Sequence, residues 1–180
     1  YELKEVPFLQ KMKDRFCERV FLKRSDKLVF SSERTIDLSE MYYRFSENKA
    51  VILPNGIDEE FKVERASTKF STPLKAVFMY KNELSKSGLG FLISGIVPEI
   101  SSRENIKITV VPPMTTAELA GFYVDKDIFL SLNQYDTFSI STAEAMAGGL
   151  IPVVTSQTGI SRYIENGSNG FVLEYGNSGD

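Results

Sequence analysis

"DIFLSLNQYDTFSISTAEAMAGGLIPVVTS", residues 127–156, runs from a strand through a polar turn and a helix into a second strand. Its two apolar runs, "DIFLSL" (127–132) and "IPVVTS" (151–156), lack the strict alternation of a half-exposed strand and read as strands covered on both faces. Small helix-forming residues lie between them and end on Gly148-Gly149, a stop signal. Two buried strands joined by a helix make a parallel pair, because parallel strands need a crossover.

The same alternation extends outward. "KAVFMY" (75–80) and "IKITVV" (106–111) read as strands, and "GLGFLISGIVPEISS" (88–102) as a helix. "TTAELAGFYV" (115–124) reads as a helix capped by Thr115 or Thr116, "GISRYIEN" (159–166) as a short helix, and "GFVLEY" (170–175) as a strand. The predicted fold class is therefore α/β, a Rossmann-like parallel sheet with helices on both faces, which binds ligands at the carboxyl ends of its strands.

Upstream, the first 24 residues form an amphipathic pattern, with Phe8, Met12, Phe16, Val20 and Phe21 broadly on one face. "DKLVFSS" (26–32) is a short strand whose Ser-Ser can cap the next helix, "ERTIDLSEMYYRF". "KAVILPNGID" (49–58) is a strand that stops at Pro54 and turns at Asn55-Gly56, a pattern that by itself says only "turn". Residues 58–74 have no clean period and read as a linker, which divides the chain into 1–57 and 58–180.

Composition narrows the chemistry. The absence of His removes the Ser-His-Asp triad, the Cys-His pair and histidine metal sites. A net charge of -3 offers nothing to nucleic acid, and no basic run suggests a membrane patch. Cys17, alone, cannot form an internal disulfide; its helical context predicts a small buried hydrophobe in a reducing compartment. Asn166-Gly-Ser168 fits the glycosylation pattern, which matters only in a secreted protein. No apolar run approaches the roughly 18 residues of a membrane span, and no signal peptide is visible. The opening mid-helix, without Met, and the turn-like "GNSGD" ending read as a piece of something longer.

Candidate chemistry gathers at two turns. In the opening stretch Asp136 lies in the turn and Glu144 about one helical turn inside the helix, with Ser139, Ser141 and Thr142 between them. A helix amino terminus offers unpaired N–H groups to phosphate or sugar oxygens, and two carboxylates can each take a pair of polyol hydroxyls. Ser141-Thr-Ala-Glu144 equally fits a capping box, in which Glu144 serves only backbone donors. In "YKNELSKSG" (80–88), Lys81 and Lys86 could neutralise a diphosphate that approaches the backbone of Ser87-Gly88, or could be two solvated lysines. Asp125-Lys-Asp127 mimics a metal-holding D-x-D but reads better as a helix end and strand start at the opposite edge of the sheet.

In order, these pieces resemble the retaining nucleotide-sugar glycosyltransferases of group 1, or family 4, with the two-Rossmann-domain GT-B fold. "VILPNGIDEEF" (51–61) is similar to the segment by which that family leaves its first domain, and "YKNELSKSGLGFLISG" (80–95) to its Gly-Arg…Lys-Gly stretch. Residues 127–175 are the most specific match, with an acidic pair separated by seven residues, an Ala-Met-Ala-Gly run and a late Asn-Gly turn. The resemblance implies that 58–180 is the donor-binding, C-terminal half and 1–57 the tail of an otherwise missing N-terminal acceptor domain. It implies that Glu144 binds ribose hydroxyls and Asp136 the transferred sugar. Lys81 and Lys86 would stabilise the leaving diphosphate without metal, and the backbone of Gly88, Thr137, Phe138 and Ser139, with Ser141 and Thr142, would adjoin the donor.

The implied donor is a UDP- or GDP-sugar, with no metal or other cofactor, transferred with retention to a polysaccharide, glycolipid or other glycan, including lipid-linked acceptors. The implied setting is cytoplasmic, with the full-length protein at the inner face of the membrane if it associates peripherally. The isolated chain is expected to bind nucleotide weakly and not to turn over. Three positions depart from the family pattern: Asp136 stands for Glu, Lys81 for Arg, and a strand-helix unit is missing between "IKITVVPP" and "TTAELAGFY". These departures suit a second reading, a non-catalytic transferase-like module that stabilises a partner glycosyltransferase.

Overall fold

The computed structural model describes residues 8–62, 70–79 and 105–175. The chain forms two compact units, Tyr1–Leu53 and Pro54–Asp180.

In the first unit, α1 (Phe8–Arg24) ends on Lys23 and Arg24, which suit the negative pole of the helix. Lys49 reaches back to close this end, donating from Nζ to the carbonyls of Ser25 at 2.7 Å and Lys23 at 3.2 Å. Strand β1 (Leu28–Phe30) leads to Ser32, whose hydroxyl accepts from the Thr35 N–H at 3.3 Å and so caps α2 (Glu33–Tyr42). β2 (Ala50–Ile52) pairs in parallel with β1, Leu28 facing Ala50. Phe30 is buried and stacks on Phe45 at 5.6 Å.

The apolar face predicted for α1 is present in sequence but open in the structure. Met12, Phe16 and Phe21 are 55%, 70% and 71% exposed, and Cys17 is exposed rather than buried. Periodicity marks a face for burial, yet two three-residue strands and a ten-residue helix offer it little surface to pack on.

The second unit carries a five-stranded, fully parallel sheet. Its strands are β3 (Leu74–Met79), β4 (Ile106–Val111), β5 (Ile128–Ser131), β6 (Ile151–Thr155) and β7 (Phe171–Leu173), in the order β4-β3-β5-β6-β7. Successive residues alternate between two cores, as the strand period requires. Val77 and Phe129 point into one core with Val111, Leu150 and residues of two helices, α3 (Thr116–Tyr123) and α4 (Ile140–Ala147). Ala76, Phe78 and Leu130 point into the other with Leu132, Ile108 and Val153. The predicted Rossmann-like α/β class is thus the observed one.

Three details differ from expectation or fall outside it. The segment predicted as a helix over 159–166 is a 3₁₀ turn, Gly159–Tyr163. Just before β7, Gly170 packs so closely on β6 that a Cβ there would lie 2.6 Å from Pro152 Cγ and 2.7 Å from its carbonyl oxygen, so only glycine fits. The predicted helix at 88–102 lies outside the described residues.

The strand order places the site. The first and third strands of the unit, β3 and β5, are neighbours, and from them the chain winds outward in opposite directions. In such sheets the crevice lies outside the carboxyl ends of the strands at this reversal. β5 ends there at Ser131 and opens into the turn 132–139.

Candidate functional site

Asp136 organises this turn. Its Oδ1 accepts from the backbone N–H groups of Ser139 at 3.0 Å and Phe138 at 3.3 Å, and its Oδ2 from Asn133 Nδ2 at 3.3 Å. Its backbone N–H donates to the Gln157 carbonyl at 3.4 Å, and its carbonyl accepts from the Gly159 N–H at 3.0 Å, which makes a parallel bridge to Thr158. The turn is thereby tied to the loop that follows β6.

Ser139 is the N-cap of α4 and lies in the left-handed region, φ 76° and ψ 71°. That conformation is uncommon outside glycine and costs of order 1–3 kcal/mol. Buried hydroxyls hold it: Ser139 Oγ lies 2.8 Å from Thr142 Oγ1 and 3.3 Å from Ser131 Oγ. The Ser139 carbonyl accepts from the N–H groups of Thr142 and Ala143 and so starts the helix. Ser139 is 1% exposed and Thr142 fully buried.

This start overturns the capping-box reading of Ser141 and Glu144. The helix begins at Ile140, so its third residue is Thr142 and Glu144 is the fifth, beyond reach of the box geometry. A capping box does form at α3. There Thr115 N–H donates to Glu118 Oε2 at 2.8 Å, and Glu118 N–H donates to Thr115 Oγ1 at 3.4 Å. The Thr115 backbone N–H first, and its hydroxyl second, hold the Glu118 carboxyl below the usual range.

Asp136 and Glu144 line one cleft of about 300 Å³. Thr137, Phe138, Ser139, Ile140 and Ser141 line it with them, as does Asn55. Thr142 is not in the lining; it lies behind Ser139 as a buried support. The Glu144 charge also reaches Tyr123. That charge, after burial, is the second cause that pushes the Tyr123 phenol well above its ordinary range. The Tyr123 hydroxyl is buried and has no hydrogen-bond partner among the described residues. Two carboxylates, short hydroxyls and a carboxamide around one small cleft make a surface rich in acceptors for O–H groups.

Lys81, Lys86 and Gly88 lie outside the described residues. Asp125 and Asp127 sit at the amino end of β5, away from the cleft. Asp127 is buried and accepts from the N–H groups of Lys75 at 2.8 Å and Ser71 at 3.2 Å, and Asp125 pairs with Lys126 and, at 3.0 Å, with Lys75. The D-x-D is a brace between β5 and β3. Sequence reading missed Asn55, which looked like a bare turn. The signal was downstream: Ile57 packs on the core, and Phe61 is buried in it with its ring 6.1 Å from Tyr123. These two anchors set the path of the turn. Ser131 was also missed, because a polar side chain inside an apolar run carries no periodic signature, and so was Asn133, whose part depends on a contact across the turn.

Comparison with known proteins agrees with this architecture. Residues 98–180 match the family "Glycosyl transferases group 1". No curated protein matches the chain. Among solved structures, HepE of Anabaena in complex with UDP and glucose is 12% identical over 92% of this chain and 54% of its own, with a TM-score of 0.67. A TarM mutant of S. aureus, in complex with Fondaparinux, alpha-GlcNAc-glycerol and UDP, is 15% identical over 93% of this chain and 37% of its own, TM-score 0.67. The C-terminal domain of LpcC, a glycosyl transferase group 1 family protein from Francisella tularensis, is 14% identical over 68% of this chain and 82% of its own, TM-score 0.55. The chain spans between 37% and 57% of the length of three other solved neighbours, TarM, a sucrose-phosphate synthase and WaaG. No described helix is long and apolar enough to cross a membrane. The chain resembles the group 1 glycosyl transferases in sequence over residues 98–180, and solved glycosyltransferases in fold over nearly its whole length.

Proposed function

We propose that this chain is the donor-binding portion of a retaining glycosyltransferase that uses a nucleotide-diphosphate sugar and acts on a polysaccharide, glycolipid or other glycan. The observation that carries the proposal is the joint presence of Asp136 and Glu144 on one cleft at the carboxyl end of β5. Glu144 takes the ribose hydroxyls and Asp136 the hydroxyls of the transferred sugar, each as an acceptor of O–H donors. The α4 amino terminus, whose N-cap Ser139 makes no side-chain cap bond, faces the phosphates. Lys81 and Lys86 follow β3 in sequence and supply positive charge to the departing diphosphate, so that no metal is needed. Attack from the face the diphosphate leaves, with its oxygen taking the acceptor proton, retains configuration. The UDP in the HepE and TarM structures is of the same ligand class. In this reading residues 1–57 are the tail of an acceptor domain, and glycan or lipid-linked acceptors dock on the remainder of that domain. The site belongs on the cytoplasmic side, and the full-length protein works at the inner face of the membrane when its acceptor is lipid-linked.

Calorimetric titration of the chain with UDP-glucose, UDP-N-acetylglucosamine and GDP-mannose tests the proposal. Saturable binding by one of them is expected. Glu144→Ala should weaken it about 150-fold, the loss of two charge-assisted hydrogen bonds at about 1.5 kcal/mol each. No turnover is expected from this chain alone. Absence of binding by all three donors would favour a non-catalytic module that stabilises a partner transferase. The observation on that side is that both oxygens of Asp136 already accept bonds from its own turn.

A further inference from the structure

The geometry points to Asn133 as a positioning residue of the cleft, whose buried side-chain amide holds the Asp136 carboxylate in the orientation that receives a sugar hydroxyl. The inference rests on the donor-binding reading above and adds to it a residue that makes no contact with the ligand. Asn133 lies two positions beyond the end of β5, is 7% exposed, and does not line the cleft. A carboxamide nitrogen has two protons. Here one is directed to Asp136 Oδ2 at 3.3 Å and the other to Ser131 Oγ at 3.3 Å. Ser131 continues through Ser139 to Thr142, so the amide is one end of a buried polar chain that reaches the first turn of α4.

The backbone of Asn133 is fixed as well. Its carbonyl accepts from Thr155 Oγ1 of the neighbouring strand β6 at 2.5 Å. The two carboxylate oxygens of Asp136 therefore have different tasks. Oδ1 serves the amides of Phe138 and Ser139 and shapes the turn, while Oδ2 is gripped by a side chain anchored in the sheet. Aspartate is one methylene shorter than glutamate, and its two side-chain torsions give it little range in the cleft. Its direction then decides whether a hydroxyl is met in line. The other charged residue lining the cleft among those described is Glu144 of α4. From the β6 side the near neighbours are the uncharged Thr155 and Thr158.

Two measurements on the full chain test the positioning role. In the free protein, the Asn133 side-chain amide resonances should be protected from solvent exchange and should shift strongly in Asp136→Ala. Resonances that do not respond would overturn the inference, whatever the ligand proves to be. With ligand, Asn133→Ala should weaken UDP-glucose or GDP-mannose about fivefold to tenfold and leave UDP or GDP within about twofold, since Asp136 faces only the sugar. An equal loss for sugar nucleotide and free nucleotide, or no loss, would mark Asn133 as merely structural. Asn133→Asp adds a discriminating signature. Two carboxylates this close share a proton, and the protonated one restores a donor to Asp136. Sugar-nucleotide affinity relative to the unaltered chain should recover at pH 5.5 and fall about tenfold by pH 8. A flat profile would overturn the assignment. If the unaltered chain binds neither donor, the donor-binding reading fails and the free-protein spectrum alone decides whether the bond to Asp136 exists.

Discussion

The two described helices of the second unit, α3 and α4, are each eight residues long, yet they begin in opposite ways. α3 caps itself: Thr115 and Glu118 exchange bonds at its exposed first turn, and nothing outside the helix is needed. α4 begins at a buried, left-handed Ser139, and its start is held from outside by Asp136, Ser131 and the turn between them. A self-sufficient cap closes a helix end. An external scaffold can hold one open beside a cleft, and the cost of the strained residue is carried by buried hydrogen bonds.

Substitutions can break this contrast, and the largest effect is expected at Ser139. Ser139→Val puts a β-branched residue at positive φ and removes the buried hydroxyl, which should destabilise the fold by about 3 kcal/mol or more in urea unfolding. Ser139→Gly relieves the backbone while losing the same hydroxyl, so it should fall well short of that; equal losses would show that strain is not the issue. Next comes Asp136→Ala, which releases the amides of Phe138 and Ser139 and should cost about 2 kcal/mol, whereas Asp136→Asn keeps an acceptor and should cost less than half of that. Thr115→Ala at the other helix should lose about 1 kcal/mol and leave ligand affinity unchanged. A change in affinity would mean that the two helix starts are coupled.

The smallest effect is that of pH on α3. Glu118 has its carboxyl lowered by Thr115, so its contribution is present above the ordinary carboxylate range and is lost as pH falls through its depressed value. The Thr115 amide resonance should therefore report opening of the cap below about pH 4 in acid titration. An amide unmoved down to pH 2 would contradict the bond.

The contrast also shows how far the sequence could be read. Continuous apolar strands alternating with helix-length segments were sufficient for the parallel sheet, because burial on both faces leaves that pattern directly in the residue types. The paired positions of Asp136 and Glu144 were legible too, since both follow from a strand end and a helix start. The capping assignment at Ser141 failed for a definite reason. Ser-x-x-Glu fits the motif, but Ser139 turns left-handed and starts the helix earlier, a choice made by buried partners distant in sequence. α1 failed differently: its apolar face is real, but periodicity does not say what covers it. Asn133 escaped notice because its role depends on one side-chain contact across a turn.

The bridge between Asp136 and Thr158 gives the cleft a dependence on a part of the chain that does not line it. Because the turn after β5 is stitched to the loop after β6, the two loops form a single mechanical piece anchored on adjacent strands. Lengthening or shortening the stretch 156–170 would pull on Asp136 through its own backbone. Variation at this edge of the sheet must then come in matched pairs of loops, so that a graft which moves one without the other will misalign the acidic turn before it alters any residue that lines the cleft.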